Sequence, residues 1–261
     1  MRSRRGILPA FLLVVSVATT SGPAPTQAAP STCGTAAHYW NGYAQHPSAN
    51  FINGIDVVLK LRTWGNCTSS GFHADSEWVM IHPDQPNPPD ENGWAQVGYE
   101  HDTNNLYSFF WQTNDGTSGQ GGAWGSPSVG DQDSFTVDRA SVPGCSSPSG
   151  YCLIMKLNGN RCHQENGQSV CMVTNFDPHN KWGSGTMSTA SGEVPFPGDD
   201  MAGYVSSKTH WTHLQEKDGE SWTTLSLLGV GPSCPYYKKS VNTLASFDTW
   251  TDPSNHNSGC S

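Results

Sequence analysis

The chain has 261 residues, with 13 Lys and Arg against 22 Asp and Glu. Only 13% of its residues are charged, about half the ~25% usual in soluble domains, while 10% are aromatic. Charge-driven disorder is excluded, and so acidic a chain does not track nucleic-acid backbones or anionic membranes by electrostatics.

Met1 to Arg5 is basic and Ile7 to Val17 is an apolar run too short to span a bilayer. A Ser-, Pro- and Ala-rich stretch follows and offers Thr26-Gln27-Ala28 as a small-x-Ala processing site. This predicts a secretory signal over residues 1–28 and an extracellular mature chain of 233 residues. The segment carries three of the 13 basic residues and no acid, leaving ten against 22. All eight Cys follow it and no C-x-x-C occurs, which in an exported chain reads as four disulfides. Cys145–Cys152 and Cys162–Cys171 would each staple a hairpin, and Cys33–Cys67 and Cys234–Cys260 would tie down the ends. The spacings argue against zinc.

Short alternating or apolar runs then succeed one another. They include Ile55 to Leu61, Glu77 to Ile81, Trp94 to Tyr99, Leu106 to Gln112, Ser134 to Val137 and Tyr151 to Leu157, then Val170 to Thr174, Trp211 to Leu214 and Trp222 to Leu227. Turn clusters such as His82 to Asp90, Thr113 to Gly122 and Val142 to Gly150 separate them. The pattern predicts an all-β protein, a single β-sandwich or jelly-roll domain of two antiparallel sheets over residues 29–261, its strands running from about Ala37 to Leu228. Tyr236 to Phe247 is the one weak helix candidate.

No G-x-S-x-G, P-loop, G-x-G-x-x-G or H-E-x-x-H occurs, so serine, nucleotide and zinc-protease chemistry lack support and no cofactor is expected. His210 and His213, three apart on an expected strand, should face opposite ways and hold no metal. Asp131 and Asp133 read as solvated turn acids rather than calcium ligands. Two residues remain. Glu193 sits between Thr189-Ala190-Ser191-Gly192 and Val194-Pro195-Phe196, small and apolar neighbours in which burial would raise a carboxyl pKa. A strand-end Glu bonded to a backbone amide reads as well. Gln96 alternates with Trp94 and Gly98 on one face of Gly93 to Tyr99, a groove lining or an ordinary polar outer face.

In order, these pieces resemble the glutamic peptidases of the eqolisin family. Trp40-Asn41-Gly42-Tyr43 is similar to that family's early W-x-G-Y, and Trp78 to Pro83 to its W-V-G-I-D-G. Ala95-Gln96-Val97-Gly98 resembles L-Q-x-G, and Tyr107 to Gln112 resembles Y-x-A-W-Y-E. Val129-Gly130-Asp131 resembles the x-G-D turn, Ser191 to Val194 the A-E-W-I segment, and Trp211 to Leu214 the closing aromatic strand. The plant neprosin domain shares part of this flavour. His82, Gln112 and Val194 depart from the eqolisin pattern, where Asp, Glu and Trp stand.

The resemblance implies a secreted, metal-independent peptidase active at acid pH, in which Glu193 is general base and then acid, and Gln96 holds the water and the oxyanion. Trp94, Trp111 and Tyr107 would contact a polypeptide substrate, and the protein would act as a monomer. The competing reading is a sandwich that binds or cleaves polysaccharide through Trp94, Tyr107, Trp111, Trp124 and Trp182, or a non-catalytic relative of the peptidase fold.

Overall fold

Strands that alternate apolar and polar residues bury one face each only by stacking sheet on sheet. The computed structural model describes residues 39–45, 51–64, 75–84, 93–101, 106–115, 119–183, 185–194, 200–225, 228–230 and 236–252. The expected signal and Cys33, Cys67, Cys234 and Cys260 lie outside these residues.

The first sheet holds β1 (Tyr39–Gln45), β3 (Asp75–Pro83), β4 (Trp94–His101), β5 (Tyr107–Asn114), β6 (Gly119–Trp124), β11 (Thr186–Val194) and β15 (Leu228–Val230). Its order is β15-β1-β11-β3-β4-β5-β6, antiparallel throughout. The second sheet holds β2 (Ile52–Lys60), β7 (Gln132–Ala140), β8 (Cys152–Leu157), β12 (Gly203–Tyr204), β13 (Ser207–Asp218), β14 (Ser221–Thr224), β16 (Tyr237–Thr243) and β17 (Ser246–Thr251). It runs β16-β17-β12-β13-β2-β7-β8, with β14 beside β13 and one parallel bridge, Tyr204 to Thr251.

The period of two decides what lies between the sheets. From the first come Tyr43, Val79, Ile81, Ala95, Val97, Tyr99, Trp111 and Ala190; from the second Ile55, Val57, Leu59, Phe135, Val137, Leu153, Met155, Trp211 and Phe247. Tyr99 meets Phe135 edge-on at 4.8 Å and Tyr43 meets Phe247 at 4.7 Å, which locks sheet to sheet. Each Val, Leu, Ile, Met or Phe among them contributes about 1.5–3 kcal/mol by leaving water.

Cys145 is bonded to Cys152, and Cys162 to Cys171 across the hairpin of β9 (Cys162–Glu165) and β10 (Gln168–Cys171). Two expectations are corrected. Tyr236 to Phe247 is not helical: β16 and β17 form an antiparallel hairpin that extends the sandwich beyond Leu228. Phe247 is the reason, since an inward strand position lets it stack on Trp211 at 5.1 Å. His210, half-buried, and His213, exposed, both reach the outer side of the second sheet instead of facing opposite ways, because a bulge between Thr212 and Gln215 places His213 at φ 54°. They turn to different acids, Asp248 at 2.6 Å and Asp56 at 3.5 Å.

Candidate active site on the outer face of the first sheet

Cross-strand partners point to the same side of a sheet, so the register identifies every side chain on its outer face. One row is Trp40, Glu193, Ser76, Glu100 and Ser108. The next is Gly42, Ser191, Trp78, Gly98, Phe110 and Ala123, and the third is Ala44, Thr189, Met80, Gln96, Gln112 and Gly121. Gln96 and Glu193 therefore share one face of one sheet, with β3 between their strands. They stand two strands and four residues apart, and Trp78 lies midway.

Trp78, Met80 and Phe110 form an apolar cluster of their own on this face, with Trp40 and Trp94 packed against it. All three are buried, although they lie on the side of the sheet away from the main core. Glu193 is half-buried and accepts a hydrogen bond from Trp78 Nε1 at 2.8 Å. Trp78 is itself buried and meets Trp40 edge-on at 6.4 Å, so the donor is held rigidly. Gln96 is 8% exposed, and its Nε2 donates to Gln112 Oε1 at 3.2 Å. That contact orients the amide.

Gly98 stands between the two groups. A Cβ there would lie 1.9 Å from the Glu77 carbonyl oxygen, so the close approach of β3 demands glycine. His82 ends the face: Nδ1 lies 3.0 Å from the Pro83 carbonyl and Nε2 3.0 Å from Thr189 Oγ1. A small cavity of about 80 Å³ opens among Trp40, Trp78, Met80, His82, Met187 and Thr189. A larger one of about 580 Å³ lies over β4 to β6, lined by Trp94, Glu100, Phe110, Gln112 and the glycines of β6.

Trp94 is thus on the candidate face, but Trp111 and Tyr107 are not. Both occupy odd positions of β5 and turn inward. Trp111 belongs to the core, and Tyr107 stacks on Trp64 at 5.3 Å. The aromatic platform needed for sugar stacking is dispersed in the same way. Trp182 is buried beside Phe176, and Trp124 is covered by His163 at 3.9 Å. Asp131 caps Ser128 N at 2.7 Å and Asp133 accepts from Tyr99 OH at 2.5 Å, so both are structural acids.

Residues that sequence reading did not single out are Trp78 as donor to Glu193, Glu100, and Glu77. The first two follow from extending the alternation already seen at Trp94-Gln96-Gly98 to β3 and one step along β4. Glu77 had no such signal. It faces inward, fully buried, and burial pushes its carboxyl up to about 8 against the weaker pull of Thr209 and Arg62.

No family model and no curated protein matches the sequence. The structure does find counterparts. The chain folds like scytalido-glutamic peptidase. Against that protein with a peptide-based transition-state analogue the TM-score is 0.53 at 12% identity, covering 82% of this chain and 98% of the other. Against its complex with a transition-state analogue inhibitor the TM-score is 0.51, again at 12% identity and 82% and 98% coverage. At this identity the likeness is one of fold, and chemistry has to be argued from the residues themselves.

Proposed function

We propose that the protein is a secreted glutamic-type endopeptidase that hydrolyses peptide bonds at acid pH with Glu193 and Gln96. The observation that carries this is their placement on one face of one sheet, with Glu193 fixed by the Trp78 indole. Two strand spacings of about 4.8 Å and four residues of about 3.3 Å put their Cα atoms about 16 Å apart in a flat sheet. They therefore act on a substrate from two sides rather than on each other. A peptide laid over Trp78 and Gly98 offers its scissile carbonyl to the Gln96 amide, which donates to the developing oxyanion. Glu193 takes a proton from the attacking water and returns it to the leaving amine. Gln112 keeps the Gln96 amide turned correctly, and the Trp78 N–H fixes the position of the Glu193 carboxyl.

The fold similarity to scytalido-glutamic peptidase and the two disulfides support this reading, the latter also supporting export. The test is digestion of a denatured protein substrate across pH 3 to 7 with chelator present. Glu193→Gln and Gln96→Ala should each lose about 10²-fold or more in kcat, the scale of positioned proton transfer and oxyanion stabilisation. Full activity in Glu193→Gln would end the proposal.

A further inference from the structure

The outer face of the second sheet lies on the opposite side of the sandwich from Gln96 and Glu193. Leu59, Trp211 and Phe247 point into the core, so the positions beside them on β2, β13 and β17 point out. One outward row runs Lys238, Trp250 and Lys208, and the next runs Ser240, Asp248, His210, Lys60 and Gln132. Arg62 borders the first row, its Nε donating to the Lys208 carbonyl at 3.1 Å.

These rows gather four of the ten Lys and Arg that follow residue 28, in a chain with 22 acids. Of the others, Arg139 pairs with Asp177, Lys156 with Asp138, and Lys217 with Asp138 and Glu220. Lys60, Lys208 and Lys238 form no ion pair among the described residues. The one carboxylate in either row, Asp248, is held by His210 Nδ1 at 2.6 Å. Lys208 Nζ rests 3.8 Å from the centre of the Trp250 ring, which positions the ammonium without cancelling its charge.

From this arrangement we infer that the outer face of the second sheet binds an acidic polysaccharide, a glycan bearing carboxylate or sulfate groups, through Lys60, Lys208 and Lys238. Strand and residue spacings put the Lys208 Cα about 10 Å from that of Lys238 and about 8 Å from that of Lys60 in a flat sheet. The ligand must therefore repeat its anions on that scale along a stiff chain, as a glycan of acidic sugars does. An acidic peptide fits less well. The strands beneath pair their backbone groups with one another, so a peptide lying across them would desolvate its own N–H and C=O without gaining partners. A glycan brings hydroxyls instead, and Ser240 and Gln132 at the two ends of the second row can meet them. A lipid surface fits less well too, because Trp250 is the one large apolar side chain in these rows and Lys208 already covers it.

The acidic balance of the whole chain opposes long-range attraction of an anion, so the contact is local and sensitive to salt. The site does not rest on the peptidase reading. Its glycan and a peptide laid over Trp78 and Gly98 would occupy opposite sides of the sandwich. A protein held on an acidic matrix in this way keeps its candidate active face open.

The experiment titrates the mature protein by calorimetry at pH 5.5 and low salt with polygalacturonate oligomers, dextran sulfate and neutral dextran. At least one anionic glycan should bind and neutral dextran should not. Lys208→Gln combined with Lys238→Gln should weaken binding about tenfold, each exposed ion pair being worth a factor of about three. Lys208→Arg with Lys238→Arg should retain it, and Lys181→Gln, exposed elsewhere, should change nothing. Raising the salt from about 20 to about 300 mM should release the glycan. In the wild type, bound glycan should slow acetylation of Lys60, Lys208 and Lys238 relative to Lys181, read by mass spectrometry. That footprint decides the matter even where the substituted proteins fold poorly. Binding by neither anionic glycan, or binding that the double Gln variant leaves unchanged and that protects none of the three lysines, overturns the inference. Tighter binding of poly-glutamate or of anionic vesicles than of either glycan overturns it as well, by assigning the face to an acidic peptide or a lipid surface. Glu193→Gln should bind glycan as the wild type does, so loss of the peptidase reading leaves the site standing.

Discussion

Replacing Glu77 by Gln should remove more than half of the stability that the protein loses as pH rises from 4.5 to 8. Burial lifts the Glu77 carboxyl from its ordinary 4.5 to about 8, because the loss of water between the sheets outweighs the pull of Thr209 and Arg62. The folded state thus holds the proton more tightly than the unfolded chain. Its contribution is whole below pH 4.5 and is lost as pH climbs through about 8. At about 1.4 kcal/mol per pH unit, the difference amounts to about 5 kcal/mol, comparable with the whole stability of a small domain. Glu216, pushed up to about 7 by burial with help from Asp218, acts in the same direction. Lys239, lowered to about 8 by burial, relieves its own cost only above that pH. Urea unfolding of the mature protein at pH 4, 6 and 8, followed by Trp fluorescence, reads these effects. Wild type should lose several kcal/mol between pH 4 and 8. Glu77→Gln should match it within about 1 kcal/mol at pH 4, where both side chains are neutral and similar in shape, and exceed it at pH 8. A wild type as stable at pH 8 as at pH 4, or a Gln variant that keeps the wild-type slope, would refute the reasoning.

Two further outcomes concern the outer face. Trp78→Phe keeps an aromatic ring, leaves part of the buried indole volume empty and removes the N–H that Glu193 accepts, so kcat should fall about tenfold or more, since hydrogen bonds to charged groups are worth about 1.5–3 kcal/mol; steady-state kinetics below the variant's melting temperature would show the loss in the folded protein, and an unchanged kcat would remove Trp78 from the site. Gly98→Ala should destabilise by about 3 kcal/mol or more, because its Cβ would lie 1.9 Å from backbone, whereas Gly119→Ala, with its nearest atom at 3.4 Å, should be tolerated in the same thermal melts.

Alternation by itself determined the fold class. Once Trp94, Gln96 and Gly98 stand on one face and Ala95, Val97 and Tyr99 on the other, the inward set needs a second sheet and the outward set becomes a surface. Local spacing likewise identified Cys145–Cys152 and Cys162–Cys171, because residues seven and nine apart in a hairpin have few other partners. Where the period of two was interrupted, sequence reasoning lost the thread. It could not see the bulge at His213, nor that Phe247 would prefer Trp211 in a strand to a helical face.

The candidate site was legible as residues and not as an arrangement. Gln96, Glu193 and Trp94 could be chosen from the chain, but Trp111 and Tyr107 share an aromatic strand with outward neighbours, and only the parity of β5 against β4 turns them inward. Which Trp would serve Glu193, which carboxylate would share its row, and which Glu would be trapped between sheets are all questions of register. Register is set by partners far apart in sequence: Trp78 and Glu193 are separated by 115 residues. A one-residue slip would exchange the two faces of every strand. Short-range pattern fixes each strand's two faces; only the packing of one sheet on the other chooses which face becomes core and which lies on the outer side of the sandwich.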